Sequence, residues 1–441
     1  MPHTTSQWRR ADVAALVEPD RVHRDLYLSE ALFALERQHF FANTWSFLGH
    51  ASQVPAAGDY ATTEIAGRPM VMVRQGDGSI RVLYNRCAHK GTQLVTDRTG
   101  NTGKAFRCPY HAWAYRLDGT LAAVPMKAGY ENTGMEACES GRGMAPAKHV
   151  AVYRDFVFVK ISDAGPGFED YFGAMLRAID DLVERSPQGR LRVAGGVLRN
   201  IIHCNWKMYL ENINDTVHPL SAHESATAAA RSLWGGQPED APKPMAIEQI
   251  LPFGSGYEFM DKMGGRIYPN GHSLLGVNFS IHSGYGRLPQ YEADLRTAYG
   301  EARATDILQH APQNAVCFPS LALKSSPQVI RVIRPLAVDR TLIEAWSFQV
   351  EGGPDLLLER SMTYNRLVFS PMSVVAHDDV HLFESIQRGL RAEGNEWVSL
   401  HRNADSAENA DDTRAVSGAN EILMRNQYRA WSRFMTLTLP E

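Results

Sequence analysis

Apolar and polar positions follow two rhythms along this chain, and the change from one to the other divides it. Up to Phe40 the rhythm is helical: Leu32, Leu35 and Phe40 recur near one face, and Ser29 supplies an N-cap hydroxyl just ahead of them. After Trp45 the period shortens. Apolar runs at residues 71–75, 80–85 and 151–160 are separated by turn signals, Gly76-Asp77-Gly78 and Asp118-Gly119, which predicts an all-β segment ending near Lys160. Residues 162–167 have linker composition, and Phe168, Phe172, Met175, Ile179 and Leu182 then trace one amphipathic helix. Beyond it the two rhythms mix. Val329 to Pro335, an Asp339-Arg340 turn and Leu342 to Val350 predict a β-hairpin, while Asp355 to Phe369 and His377 to Leu390 predict helices. The expected division is a helical segment over 1–44, a β-rich domain over 45–161 and an α+β domain over 162–441.

Composition narrows the function classes. A chain of 441 residues, 44% hydrophobic and 21% charged, is a globular protein with room for more than one core. Lys and Arg total 45 against 49 Asp and Glu, a net charge of -4 that leaves no broad cationic surface for nucleic acid or an anionic membrane. The amino terminus lacks the apolar stretch of an export signal, and no run of about 18 apolar residues occurs, so secretion and membrane insertion are not expected. Five cysteines, Cys87, Cys108, Cys138, Cys204 and Cys317, are too few for a disulfide framework and indicate a reducing cytoplasm with thiols free or bound to metal. There is no internal repeat, no Walker motif and no strand-linked G-x-G-x-x-G, hence no obvious nucleotide site.

Two groups of residues carry chemistry. The first is Cys87-Ala88-His89 followed by Cys108-Pro109-Tyr110-His111, two short loops that each offer one thiolate and one imidazole. A Cys2His2 zinc site stapling two turns, the mark of a binding module and not of an enzyme, is one reading. One Cys and one His from each loop also fits a Rieske [2Fe–2S] centre, with Cys87 and Cys108 on one iron and His89 and His111 on the other. Tyr110 and Trp113 suit loops that wrap such a cluster, the Tyr110 hydroxyl being placed to bond a sulfur. This segment resembles the Rieske domain of the ring-hydroxylating oxygenases, with Lys90 and Ala112 where that family usually has Arg and Gly.

The second group lies about a hundred residues on. Trp206, Tyr209, Leu210, Ile213 and Val217 trace one helical face, Glu211, Asp215 and His218 fall near one another on another, and Pro219 is expected to end the helix at His218 so that His223 returns beside it. A cluster that passes one electron at a time needs an acceptor, and a 2-His-1-carboxylate Fe(II) site with open positions for O2 is the expected one. The segment resembles the iron-binding motif of the same family. By that resemblance His218 and His223 bind iron, Asp215 links the two centres, and Asn212, of the Glu-Asn pair, lies beside the iron. Candidates for the carboxylate are Asp378, Asp379 and Glu384, with His381 as a substitute; the family pattern selects Asp379 and leaves Asp378 beside it. His203 and Cys204 read as core, and the Arg331/Arg334 pair as a solvated strand face.

The resemblance runs from about Trp45 to about Arg402, through a tail motif of Gln387-Arg388-Gly389-Leu390 and Leu400-His401-Arg402 that is most similar to members acting on aromatic carboxylates. It implies the large (alpha) subunit of a Rieske non-haem iron oxygenase: an all-β Rieske domain and a helix-grip catalytic domain, using O2 to hydroxylate an aromatic small molecule, most often to a cis-dihydrodiol. Electrons would come from NAD(P)H through a separate reductase, with or without a ferredoxin, because the chain has no flavin, nicotinamide or plant-type ferredoxin motif. A trimer of large subunits, with a small beta subunit, is implied as well. A monooxygenase or demethylase of the same family would carry the same ligands, and an electron-carrying Rieske ferredoxin would need only the β-rich segment.

Overall fold

The computed structural model describes residues 8–135, 142–238, 240–282, 288–309, 311–405, 408 and 413–441; Cys138 lies outside them. Its contacts form two compact units, Phe41–Asp163 and Met1–Phe40 together with Ala164–Glu441. Among the described residues no helix is long and apolar enough to cross a membrane.

The Phe41–Asp163 unit is built from short antiparallel strands. One sheet has the order Ile80–Tyr84, Arg68–Arg74, Asp59–Ile65, Thr99–Asn101; a second joins His149–Tyr153, Phe156–Lys160 and Ser46–His50; a third joins Ala105–Arg107, Ala114–Arg116 and Leu121–Ala123. Apolar residues that alternate along these strands pack into a core of Val71, Val73, Leu83, Phe106 and Tyr115, and this core also takes in Cys87 and Cys108. The two candidate ligand loops therefore start from rigid, buried positions.

The larger unit is α+β. An eight-stranded antiparallel sheet has the order Leu191–Ile202, Arg340–Val350, Val329–Ala337, Leu321–Lys324, Asn314–Cys317, Ser273–Leu275, Gly265–Ile267, Ala415–Val416. The hairpin forms, but it closes with Ala337 opposite Arg340, so its turn is Val338-Asp339, one residue ahead of the expected Asp339-Arg340, and Arg340 already belongs to the return strand. The long edge strand shifts register between Ala194 and Val197, where Gly195 and Gly196 have positive φ. A Cβ on Gly195 would stand 2.7 Å from Met362 Cγ, so the bulge needs glycine for both its backbone angle and its neighbour.

Some expectations change. Residues 168–183 do not form one helix but two, Phe168–Phe172 and Leu176–Val183, because Gly173 with φ +48° breaks the turn between them. Arg331 and Arg334 are not solvated: both are buried, since Val329–Arg334 is covered on both faces. Cys204 is core, as expected, whereas His203 is exposed.

Ser29 caps the helix Glu30–Leu35 by accepting from the Leu32 N–H. The chain continues as a π-turn, Glu36–Phe40, which carries a buried carboxylate into the larger unit. Glu36 accepts from the Trp206 and Trp431 indoles at 3.0 and 2.7 Å and pairs with the buried ammonium of Lys207. This network anchors the start of the helix Trp206–Ile213. Glu36→Ala would strand a buried ammonium and two indole N–H groups, at a cost of about 3–5 kcal/mol. The expected outcome is a thermal midpoint lower by at least about 5 °C, read by calorimetry.

Candidate metal centres

The two loops of the smaller unit are built alike. The Cys87 carbonyl accepts from the Gly91 N–H and the Cys108 carbonyl from the Ala112 N–H, each at 3.0 Å, while the Cys87 and Cys108 N–H groups bond the Thr92 and Trp113 carbonyls at 2.8 Å. Gly91 and Ala112 both have positive φ, +82° and +56°. Ala112 thus holds a backbone that costs an L-residue about 1 kcal/mol, which the matched turns impose. The result brings all four candidate residues together: His89 and His111 have ring centroids 4.7 Å apart, and the two buried cysteines belong to one core cluster.

The donor chemistry fits a metal cluster. His89 Nδ1 is buried with no hydrogen-bond partner, as a ligand nitrogen would be. Burial pushes the Cys108 thiol up, but the Tyr110 and His111 N–H groups, with Cys87 and Thr92, outweigh it and hold the thiol below its usual range, toward the thiolate. Trp113 is buried and stacks on the His89 ring at 4.8 Å with an interplanar angle of 5°. Tyr110, by contrast, is 65% exposed and does not supply the sulfur bond. That bond comes from Tyr115, whose hydroxyl donates to Cys87 Sγ at 3.0 Å and accepts from the Ala88 N–H at 3.1 Å. Burial, then Cys87, raise the Tyr115 phenol, so it stays a donor.

In the larger unit His218, His223 and Asp379 each bring a ligand atom to within 4.8 Å of the other two. Asp379 Oδ1 lies 3.7 Å from His218 Nε2 and 3.5 Å from His223 Nε2. The far nitrogen of each ring is held by another carboxylate: His218 Nδ1 donates to Asp215 Oδ2 at 3.2 Å, and His223 Nδ1 to Asp378 Oδ2 at 3.3 Å. Those bonds fix the tautomer that turns both Nε2 lone pairs inward. Asn212 Nδ2 completes the ring of contacts, 3.0 Å from His218 Nε2 and 3.1 Å from Asp379 Oδ1. Burial raises the Asp379 carboxyl despite the two imidazoles, the expected state of a carboxylate lacking a full positive charge beside it. A divalent cation would supply that charge, so the donor set fits a mononuclear metal.

The local route differs from the one expected. The helix ends at Ile213, not at His218, and His218 keeps an α backbone as the residue before a short helix, Pro219–Ala222, with proline at its first position. That second helix brings His223 back. Glu211 turns away from the triad to accept from Tyr27 at 2.7 Å and from Tyr428. His381 is exposed and Glu384 lies outside the metal-sized group. Asp215 is held near 2: burial opposes it, but the His218 side chain and the Val217 and His218 N–H groups prevail. Arg402 of the tail motif also donates to Asp215, at 3.3 Å, a contact that the sequence reading did not foresee.

A cavity opens on the triad, walled by apolar side chains such as Phe253, Met260, Leu275 and Val368 and by two cations, Lys324 and Arg331. A second cavity shares Asn212, Asp215, His218 and Asp379 with the first. Tyr115 was legible in principle, since period-2 alternation puts it on the face of Trp113. The two cations were not, because a charged residue on a strand reads as solvent-facing until its cover is known.

Residues 44–136 match the family model of the Rieske [2Fe-2S] domain, and residues 179–437 that of the ring hydroxylating alpha subunit (catalytic domain). The anthranilate 1,2-dioxygenase large subunit of Acinetobacter baylyi is 28% identical, over 94% of this chain and 89% of that protein. The toluate 1,2-dioxygenase subunit alpha of Pseudomonas putida is also 28% identical, over 96% and 94%. Among solved structures, naphthalene 1,2-dioxygenase with indole bound in the active site shares the fold, with a TM-score of 0.78, 22% identity and coverage of 98% of this chain and 95% of that one.

The Tyr115 geometry generates a prediction. A hydrogen bond to a cluster sulfur favours the reduced, more negative state. Tyr115→Phe should therefore retain the visible spectrum of the cluster and lower its midpoint potential, measured by protein-film voltammetry, while Tyr110→Phe leaves the potential where it was.

Proposed function

The chain belongs to the family of ring-hydroxylating oxygenase alpha subunits, and from that premise we propose that it is a terminal oxygenase component that dihydroxylates an aromatic ring with O2. The observation that carries the reading is the convergence of His218 Nε2, His223 Nε2 and Asp379 Oδ1 at the mouth of a mostly apolar cavity. When bound, a mononuclear Fe(II) at these residues supplies O2 activation, and a [2Fe–2S] cluster at Cys87, His89, Cys108 and His111 supplies electrons singly.

The chain's own residues do the rest. Asp215 and Asp378 orient the imidazoles, and Asn212 holds the Asp379 carboxylate in place. The apolar wall excludes water and packs the aromatic ring. We assign Asp215 as the acidic link between the two centres across a subunit interface in a ring of three. Its neighbour Arg402 occupies one oxygen, and a donor arriving from the adjoining subunit would share that carboxylate. Electrons reach the assembly from NAD(P)H through a separate reductase, with a ferredoxin between them where one is used. A small beta subunit completes the assembly.

Product analysis tests the reaction. Isotopically labelled O2 should leave both its atoms in one product, a cis-dihydrodiol; a single labelled hydroxyl or a demethylated product would contradict dioxygenation. His218→Ala, His223→Ala and Asp379→Ala should each lose the non-cluster iron while keeping the cluster spectrum, whereas Asp378→Ala should retain measurable iron at lower affinity, by about 10–100-fold. Full iron occupancy in Asp379→Ala would remove it from the ligand set. Asp215→Ala should keep both metals and bind substrate, yet turn over slowly even with the cluster reduced. Reoxidation of its cluster at the wild-type rate would refute the link.

A further inference from the structure

Lys324 and Arg331 sit where charge is least expected. The strands Leu321–Lys324 and Val329–Ala337 run antiparallel, with Lys324 opposite Val329 and Ala322 opposite Arg331, so both cations project from one face of the sheet as diagonal neighbours. Lys324 is 2% exposed and Arg331 4%, and both line the cavity that holds His218, His223 and Asp379. Among the described residues their hydrogen bonds and ring contacts are with neutral groups. Lys324 Nζ donates to the Gln313 carbonyl at 2.8 Å and stands 5.6 Å over the Tyr364 ring. Arg331 donates to Asn314 Oδ1 and lies 4.6 Å over the Phe369 ring. Its buried Nε–H has no partner.

Among the described residues neither cation is paired with a carboxylate. Burial first, and Arg331 second, push the Lys324 ammonium well below its ordinary range. Buried basic groups with no carboxylate partner are costly in their charged form, and an anion that enters the cavity would supply the missing negative charge. The carboxylates of the same cavity, Asp215 and Asp379, are already committed to the imidazoles.

We propose that Lys324 and Arg331 form an anion-recognition subsite and that the arene oxidised here carries a carboxylate, bound at these cations with its ring directed to the His218–His223–Asp379 end of the cavity. The inference rests on the oxygenase reading and names its substrate class. A guanidinium with a free N–H is suited to a planar carboxylate, and the ammonium beside it adds a second, adjustable donor. The aromatic faces of Tyr364 and Phe369 hold the cations without competing for the anion.

The test compares each aromatic acid with its neutral isostere on the intact holoenzyme. Benzoate, phenylacetate and 2-naphthoate, each against its amide, are titrated by calorimetry, with benzenesulfonate as a non-carboxylate anion. At least one acid should bind about tenfold or more tightly than its amide, and Lys324→Met or Arg331→Gln should each shrink that ratio about tenfold. The cluster spectrum and thermal midpoint confirm that each variant is folded, and the wild-type ratio needs no variant at all. Equal affinity of acid and amide in the wild type would overturn the subsite, as would a ratio unchanged in both variants. Benzenesulfonate binding as tightly as benzoate would overturn the carboxylate assignment. Oxygen uptake with toluene or naphthalene but with none of the acids would overturn the inference and leave the oxygenase reading standing. Selective acid binding with no oxygen uptake for any arene would refute the oxygenase reading alone.

Discussion

A carboxylate withdrawn from water must meet positive charge, and among the described residues Asp379 meets the neutral Asn212 amide and two imidazoles whose other nitrogens already face carboxylates. Asp215 and Asp378 make those rings better ligands, but they also deepen the negative potential at the point where the Nε2 atoms and Asp379 Oδ1 converge. Among the described residues Arg402 bonds Asp215, and the ion pairs of Asp379 are with the two imidazoles and with no lysine or arginine. The arrangement is self-consistent once a divalent cation sits at the convergence. The surrounding fold can be read as the means of holding it open.

That support comes from residues far apart in the chain. Asn205 caps the helix Trp206–Ile213, and its backbone N–H donates at 2.8 Å to the Oε1 of Gln387, from the helix that carries Asp378 and Asp379. Glu36 clamps the same helix start from the N-terminal segment. Asn212 then ties the end of one helix to the beginning of the other through Asp379. The triad, which draws a cation, and Lys324 and Arg331, which draw an anion, line the same cavity, so its wall has two opposite electrostatic preferences. An aromatic acid laid between them is oriented by charge before any shape contact is made.

How much of this the sequence shows depends on the distance over which each feature is encoded. The cluster loops are short, and Cys87, His89, Cys108 and His111 come together through local turns, so spacing alone identified them. The hairpin, its turn one residue ahead of the expected place, and the Ser29 cap are likewise local. His218 and His223 were legible as a motif, but the backbone between them was not. A proline was read as ending one long helix when it starts a new short one. Phe168 to Leu182 had helical periodicity throughout, and one positive φ at Gly173 was enough to break it. Arg331 and Lys324 were the least legible, because their strands are covered on both faces. The residues that cover them, Tyr364 and Phe369 among others, arrive from a separate helix and π-turn.

The most direct test of the two-centre account is the iron and acid-labile sulfide content of the chain purified without oxygen. The account predicts iron and sulfide in a ratio of about 3:2, the excess iron being removable by a chelator while the sulfide-bound iron stays. A ratio of about 1:1 after iron loading, or zinc in place of iron with no labile sulfide, would contradict it.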